Sequence, residues 1–345
     1  MNKIYIIAIS SIVAMCLGGC GEENNNSNSR TSYIDKTGEK IDVEIADNIS
    51  LNASVPKEER ELFTYKVCDR PLDINEEAGV FGVKLENGEM NDENNFYDFG
   101  NGAYFSASDG NIEYVSDERY NTLNEMVYEY YQDDDSSDDN INKAQVERAT
   151  ELLTAGLKLS ENEELYLIHA KKLDNEAYQE GKKYLEEDMG FGEGKMEAKE
   201  ADRIVSDSTY YYSFGIKIDG IPISNFKEAS LNYTSEDSYG KQLSIEMIMD
   251  DNNVKYILSD GIEELESSED KSLISIDEAI SKLKEKYDVQ IVPEKEEINN
   301  IRLEYIPLFD VNNSAGSMEP YWCFYYKDGR TDAFNALTGG DLAYE

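Results

Sequence analysis

The stretch Tyr321–Tyr326 reads YWCFYY, and it decides the fold class from the sequence. Large apolar residues dominate it, and the turn-forming pair Asp328-Gly329 follows after Lys327, which is typical of a β-strand that ends in a hairpin. Successive side chains of a strand point to opposite faces of its sheet. One face therefore receives Trp322, Phe324 and Tyr326, and the other receives Tyr321, Cys323 and Tyr325.

Trp322 and Tyr321 in this strand are also candidate contact residues for a ligand or a partner protein. An indole ring can stack on a sugar or anchor a protein partner. The alternative is that both side chains belong to the hydrophobic core. The sequence leaves these two interpretations open.

Further strand patterns and one helix pattern surround this stretch. Apolar or alternating segments occur at residues 210–218, 231–234, 243–249, 254–258, 301–305 and 333–337. Ser275-x-x-Glu278 is a capping box, and the apolar residues after it recur at helical spacing up to Tyr287. Antiparallel strands, one helix and further strands predict an α+β fold in which the helix packs on one face of an antiparallel sheet.

The N-terminal part combines strand patterns with helix patterns. Strands are predicted at residues 41–45, 49–53 and 62–67, and a hairpin at 104–115 is predicted to turn at Asp109-Gly110. A short helix is predicted to begin near Leu72, and further helices at 146–157, at 160–173 after the capping box Ser160-x-x-Glu163, and at 177–189. The glycine-rich segment 190–194 predicts a boundary. We therefore expect an N-terminal α+β domain at 33–194 and a C-terminal antiparallel α+β domain at 195–345.

Residues 1–19 have the pattern of a secretory signal. Lys3 supplies a positive charge, and the apolar run that follows is shorter than the ~20 residues of a membrane-spanning helix. The run ends in Leu17-Gly18-Gly19-Cys20, which resembles the lipobox of bacterial lipoproteins. The resemblance implies cleavage before Cys20 and acyl chains, such as palmitate, on that residue. The alternative is an ordinary signal peptide with an incidental cysteine. In the lipoprotein interpretation, residues 20–32 contain the lipidated cysteine and a flexible tether.

Five short motifs in residues 205–345 carry a second resemblance: Gly220-Ile221-Pro222-Ile223, Ile276-Asp277-Glu278-Ala279-Ile280, Ile301-x-Leu303-x-Tyr305, Pro320-Tyr321-Trp322 and Asn335-Ala336-x-Thr338-Gly339. In this order they resemble the C-terminal part of the YycH/YycI regulators of the WalK sensor kinase and related PepSY-like domains. The resemblance implies a PepSY-like C-terminal domain. Those regulators contact the kinase through a transmembrane helix, and a lipid on Cys20 cannot make that contact. The whole chain is also similar to clostridial-type lipoproteins of unknown function.

The charge balance restricts the partners of this chain. Its 345 residues contain 32 basic and 73 acidic side chains, a formal net charge of −41. No basic patch is present, so we expect no nucleic acid partner. Anionic lipid headgroups would repel the domain itself, so we expect membrane attachment only through the lipid on Cys20. Basic faces of proteins, basic peptides and cations are the partners that fit, although acidity can also serve solubility alone.

Cys68 and Cys323 remain once Cys16 and Cys20 are assigned to the signal and the lipid. In an exported protein the two can form a disulfide. Two cysteines give no spacing pattern, however, so a free-thiol state remains an alternative.

The residue inventory excludes several kinds of catalyst. His169 is the one histidine, so a zinc site with two or more histidines is absent. His169 lies in a predicted helix. The chain contains no motif for a nucleophilic serine or cysteine that this histidine could activate. A pair of carboxylates can catalyse glycoside hydrolysis, but no pair stands out among 73 acids. Asp133–Asp139 and Asp250–Asn253 are acidic loops whose oxygen atoms make calcium the best candidate for a small ligand, and the alternative is a solvated loop. Neither loop has EF-hand spacing, so we expect no metal site and no cofactor.

These observations predict a lipoprotein on the extracytoplasmic face of the cell membrane. We expect a non-enzymatic module that binds or regulates a protein partner in the cell envelope. The alternatives are a cell-surface hydrolase that uses carboxylates, and a lipoprotein that binds a solute or polysaccharide.

Overall fold

The computed structural model describes residues 38–56, 62–91, 95–117, 120, 123–124, 143–173, 208–224, 238–241, 243–251, 253–269, 273–310 and 315–342. Strands make up 54% and helices 19% of these residues. The signal at 1–19, the tether at 20–32, the strand at 231–234, the helix at 177–189 and the boundary near 194 lie outside the described residues, as does Cys20.

Seventeen strands are described: β1 (Lys40–Ala46), β2 (Ile49–Ser54), β3 (Phe63–Asp69), β4 (Glu89–Asn91), β5 (Phe96–Gly100), β6 (Ala103–Ser108), β7 (Asn111–Val115), β8 (Glu163–Lys172), β9 (Thr209–Ile218), β10 (Ile221–Pro222), β11 (Ser238–Gly240), β12 (Ile245–Asp250), β13 (Asn253–Asp260), β14 (Ile262–Glu269), β15 (Glu296–Asp310), β16 (Ala315–Tyr326) and β17 (Thr331–Asn335). The described α-helices are α1 (Ile74–Phe81), α2 (Lys143–Gly156) and α3 (Ile276–Tyr287). A single 3₁₀ turn covers Leu85–Asn87.

The first sheet has the strand order β1-β2-β15-β16-β3-β14, with β11 beside β15 and β17 beside β16. The pairing of β2 with β15 is parallel, and β15 pairs with β16 in antiparallel register from Ile298 to Phe309. The pairing between the two central strands, β15 and β16, is therefore the longest in this sheet. β1 lies at one edge and β14 at the other.

The second sheet has the order β10-β9-β12-β13-β7-β6-β5-β4, with β8 beside β9. One hydrophobic core contains side chains from both sheets, among them Leu51 and Trp322 of the first and Phe105 and Tyr212 of the second. Smaller clusters cover the outer faces, around Ile248 and Tyr256 on the second sheet and around Tyr321 and Cys323 on the first. The fold is therefore a β-rich sandwich.

The predicted α+β class, with helices packed on one face of antiparallel sheets and a PepSY-like C-terminal domain, is wrong. Two large sheets face each other instead, so each sheet packs mainly on the other sheet and not on a layer of helices. The helix α3 does place Ile276, Ala279, Ile280, Leu283 and Tyr287 in the shared core. Phe81 of α1 and Leu152 and Leu153 of α2 belong to the same core, and side chains of the strands make up most of the remainder. The periodicity of the sequence predicted many of the strands, but it did not predict that one sheet packs on the other.

The predicted helix at 160–173 is also wrong, because Glu163–Lys172 forms β8. Ser160 and Glu163 make one of the two hydrogen bonds of a capping box: the Ser160 N–H donates to Glu163 Oε2 at 2.7 Å, whereas the Glu163 N–H donates to the Ser160 carbonyl at 3.1 Å. The residues that follow pair with β9 from Glu163 to Lys172. Ladder hydrogen bonds and the packing of Leu165 and Leu167 against the core therefore outweigh the local helix signal.

Strands from both sides of residue 194 pair within each sheet. β3 lies between β16 and β14, and β7 pairs with β13. The described residues from Gly38 to Leu342 belong to one compact unit. The predicted ranges 33–194 and 195–345 thus share both sheets. Among the described helices, none has the length and apolar character needed to cross a bilayer.

Candidate functional site

A surface cleft lies at the corner of the first sheet where β1, β2 and β15 meet. Its volume is about 410 Å³. It is lined by Asp42, Val43, Glu44, Asn48, Ile49, Ser50, Lys295 and Glu296. A second cleft of about 280 Å³ adjoins it, sharing Ser50, Lys295 and Glu296 and extending to Tyr326, Lys327 and Asp328. Together they form an open groove, which we call the corner groove.

The tight turn between β1 and β2 positions the groove. Asn48 has a φ of 71°, a left-handed conformation that asparagine tolerates better than most residues. Its carbonyl accepts a hydrogen bond from the Glu296 N–H at 2.7 Å, and its Nδ2 donates to the Val292 carbonyl at 2.9 Å. The turn is therefore tied to the segment that leads from α3 into β15.

One side of the corner groove is neutralised by ion pairs. Arg330 pairs with Glu296 and, at 2.9 Å, with Asp328, and Lys327 pairs with Glu297 at 2.8 Å. The Arg330 guanidinium also lies 4.5 Å from the centre of the Tyr326 ring. These contacts leave little net charge on this side.

The pKa values on this side follow from the same contacts. Burial lowers the pKa of Arg330, but hydrogen bonds to Glu296 and Asp328 raise it by more, so the guanidinium stays charged. Burial and the Asp332 carboxylate both raise the pKa of the Tyr326 hydroxyl, which therefore stays neutral. Neither group is set to exchange a proton near neutral pH.

The other side of the corner groove carries two exposed carboxylates, with Lys40 on the same face of β1 and Lys295 also lining the cleft. Asp42 and Glu44 are exposed and form no ion pair within the described part of the chain. They stand two residues apart on one strand, so their side chains point to the same, outer face of the sheet. Ser50 and Asn52 of β2 lie opposite them in the register. This arrangement can attract cationic groups and accept hydrogen bonds.

The loop after α3 exposes two large apolar side chains at the same corner. Val289 is 87% exposed and Ile291 is 95% exposed. Leu265, on β14 at the opposite edge of the sheet, is 60% exposed. Apolar side chains this exposed, next to a groove, are typical of sites that contact another molecule.

Trp322 and Tyr321, the predicted contact residues, are both buried. Trp322 is 0% exposed and donates its Nε1–H to the Ile274 carbonyl at 3.2 Å, and Tyr321 is 1% exposed. The predicted division of this strand into two faces is confirmed. Trp322, Phe324 and Tyr326 lie in the core between the sheets, and Tyr321, Cys323 and Tyr325 lie in the outer cluster. The core interpretation of Trp322 and Tyr321 therefore holds, and neither side chain offers a surface to a ligand.

Cys68 and Cys323 are free thiols. Cys68 stands opposite Ala315 in the sheet, and Cys323 lies eight residues further along the same strand, a distance of about 26 Å at strand spacing. A disulfide needs Cα atoms within about 7 Å, so the candidate bridge does not form. Burial raises the pKa of both thiols, that of Cys323 most strongly.

The remaining candidates are His169 and the two acidic loops. His169 lies in β8 and pairs with Ser213 of β9, rather than on a helix. Asp250 ends β12 and Asn253 begins β13, and Asp133–Asp139 lies outside the described residues. In the described part of the chain, no group of three or more His, Cys, Asp or Glu side chains is arranged to hold a metal ion.

The corner groove was not among the sites predicted from the sequence. A signal for it exists in KIDVEIA, Lys40–Ala46, where acids alternate with apolar residues. That alternation predicts a strand with two carboxylates on one face. The partners from β15 and the loop after α3 are about 250 residues away in sequence, and only the folded sheet brings them together.

Comparison with known proteins gives information on the fold alone. No family model matches the chain, and no curated protein matches it. Among solved structures, the chain is similar to an uncharacterized protein from Eubacterium rectale ATCC 33656, with 14% sequence identity and a TM-score of 0.53. The similarity covers 88% of this chain and 92% of that one. The two chains therefore share an overall fold.

Proposed function

We propose that this protein is a lipoprotein, anchored through Cys20 on the extracytoplasmic face of the cell membrane, that binds a protein partner in the envelope through the corner groove. The observation that carries the proposal is the combination, at one corner, of unpaired carboxylates with the exposed side chains of Val289 and Ile291. A small solute is normally held in a deeper and more enclosed pocket.

The composition of the groove favours a protein over a polysaccharide. Aromatic platforms are the usual sugar contacts, and Tyr326, the aromatic residue lining the groove, is 4% exposed and covered by Arg330. Protein interfaces instead combine exposed apolar residues with a charged rim. Val289 and Ile291 would supply the apolar contact, and Asp42 and Glu44 the charged rim. The acidity of the whole chain would add attraction for a basic partner.

The anchor is tested by changing Cys20→Ala. This change removes the proposed attachment point of the lipid, so we expect the protein to leave the membrane fraction or to accumulate as an uncleaved precursor. Cys68→Ala serves as the matched control and should fractionate like the parent. A Cys20→Ala protein that matures and stays with the membrane would refute the anchor.

The partner is tested by photo-crosslinking in intact cells. A photoreactive amino acid replaces Ile291 in one strain and Leu265, at the opposite edge of the same sheet, in another. We expect a discrete crosslinked species from position 291 that weakens in the background Asp42→Asn with Glu44→Gln. The same adducts from both positions, or none from position 291, would contradict the proposed binding surface.

A further inference from the structure

β1 has an open edge among the described residues, where it pairs only with β2. The Val55 N–H donates to the Glu39 carbonyl at 3.0 Å, so the main chain of Glu39 faces β2. Main-chain groups of an antiparallel strand alternate in direction along the strand. The N–H and C=O groups of Lys40, Asp42 and Glu44 therefore point away from the sheet, and no strand in the described part of the chain pairs with them.

The inner face of the same edge is incompletely covered. Ile45 is buried, but Ile41 and Val43 are only partly buried against the core. An additional strand beside β1 would cover the exposed parts of Ile41 and Val43 with its own apolar side chains.

The outer face of the edge adds a charge requirement. Asp42 and Glu44 belong to the residues with outward main-chain groups, and both carboxylates line the corner groove. Any strand that hydrogen-bonds to their main chain would place its outer-face side chains next to these carboxylates. Basic side chains at alternate positions fit this arrangement, because opposite charges on neighbouring strands stabilise the pair.

We propose that β1 accepts an extended segment of the partner protein as an added strand, and that this segment alternates basic and apolar residues. The inference rests on the proposed function in taking the partner to be a protein. It adds the mode of binding, which is strand addition at a sheet edge, and the sequence pattern that is recognised.

Charge argues against a second copy of this chain as the occupant. Two β1 strands paired in antiparallel register around Asp42 would bring the two Asp42 carboxylates opposite each other, which is destabilising. The formal charge of −41 on each copy opposes the same contact.

The first experiment measures binding of labelled peptides to the mature protein by fluorescence anisotropy. The probe is the peptide KVKVKVK, and the comparison peptide KKKKVVV has the same composition without alternation. We expect the alternating peptide to bind at least about tenfold more tightly. Equal affinities would mean general attraction of cations to an acidic protein, and would overturn the proposal.

Main-chain pairing is tested with two further peptides, one N-methylated at the lysines and one at the valines. In a single added strand, every second N–H donates to β1, so one of the two peptides should lose binding and the other should keep it. Retention of affinity by both peptides would refute strand addition.

The site is tested with paired charge variants. We expect Asp42→Asn with Glu44→Gln to weaken KVKVKVK binding about tenfold, and Glu263→Gln with Glu266→Gln on β14, which remove the same charge, to change it less than about twofold. Equal losses in the two variants would overturn the assignment to β1. So would a dimer in analytical ultracentrifugation that dissociates in the Asp42→Asn with Glu44→Gln variant. Crosslinking from position 291 combined with failure of the peptide tests would leave the proposed function standing and refute only the added strand.

Discussion

The Asp332 carboxylate organises a buried polar group where α3 meets β16 and β17. Its Oδ2 accepts hydrogen bonds from the hydroxyls of Tyr287 at 2.9 Å and Tyr326 at 2.7 Å, and its Oδ1 accepts one from Lys286 Nζ at 2.7 Å. Lys286 also pairs with Asp341 at 2.9 Å. In a medium of low dielectric constant, donors and acceptors that are fully matched hold neighbouring elements in one arrangement.

This group makes stability sensitive to high pH. Burial, with the Asp332 charge, raises the pKa of Tyr287 from 10.0 to about 12. Because the folded-state pKa exceeds the unfolded value, the contribution of Tyr287 is complete below pH 10 and is lost as the pH rises through about 12. We expect Tyr287→Phe to cost about 1–2 kcal/mol at neutral pH and to flatten the alkaline decline. Urea unfolding across this range measures both, and an unchanged alkaline slope would contradict the assignment.

At the scale of elements, α3 shows how local and tertiary signals agree. Ser275 Oγ accepts a hydrogen bond from the Glu278 N–H at 3.2 Å, and the Ser275 N–H donates to Glu278 Oε2 at 2.8 Å. Acidic residues occupy the first turn and lysines the last, as the helix dipole favours. The apolar face of the same helix enters the core, so every signal favours one structure.

The capping box of α3 has a measurable contribution. We expect Ser275→Ala to lower the free energy of unfolding by about 1 kcal/mol, because a backbone N–H at the helix start loses its acceptor. Ser281→Ala is the matched control, since Ser281 lies within the helix and donates to the Asp277 carbonyl at 2.8 Å. The control should change stability by less than about 0.5 kcal/mol. Equal effects of the two substitutions would show that the cap contributes nothing.

Elements whose local signals agree with the tertiary structure were predictable from the sequence. The helix α3, the strand β9 and the hairpin at Asp109-Gly110, whose φ angles are 48° and 79°, are confirmed. β8 was not predictable from the sequence. The motif Ser160-x-x-Glu163 indicates the start of a helix, and only the pairing with β9 makes the residues after it a strand. The corner groove was not predictable for the same reason. It depends on the parallel pairing of β2 with β15, and that pairing has no local signature.

At the scale of the whole molecule, a buried ion pair joins the two sheets. Arg70, at the end of β3, pairs with Glu163 at the start of β8, and both side chains are 5% exposed. Arg70 also donates to the Lys158 carbonyl at 2.8 Å and to the Ile262 carbonyl. One guanidinium therefore contacts strands of both sheets.

Removing one member of this pair should destabilise the protein strongly. We expect Glu163→Ala to cost about 3–5 kcal/mol, because it leaves a buried guanidinium without its counter-charge. Lys66→Ala, which breaks an exposed pair with Glu266 at 2.7 Å, should cost less than about 1 kcal/mol. Urea unfolding compares the two variants, and similar costs would show that the Arg70 pair has no special role.

The net charge predicts a response to salt. A chain with a formal charge of −41 repels itself when folded, and added ions screen that repulsion, so monovalent salt should raise the melting temperature. At fixed ionic strength, millimolar calcium should add no more than magnesium does. A saturable shift specific to calcium would contradict this prediction and indicate a bound ion.

The position of β3 within the first sheet has a consequence for biogenesis. Cys68 pairs with Glu263 on one side and with Ala315 on the other, so neither neighbouring strand exists until most of the chain has been synthesised. Long-range closure of this kind is slow, and the sheet cannot form ahead of its last strands. For an exported lipoprotein of the type we propose, late closure keeps the nascent chain unfolded and able to pass through a translocation channel. The interleaved strand order would thus delay folding until the chain has crossed the membrane.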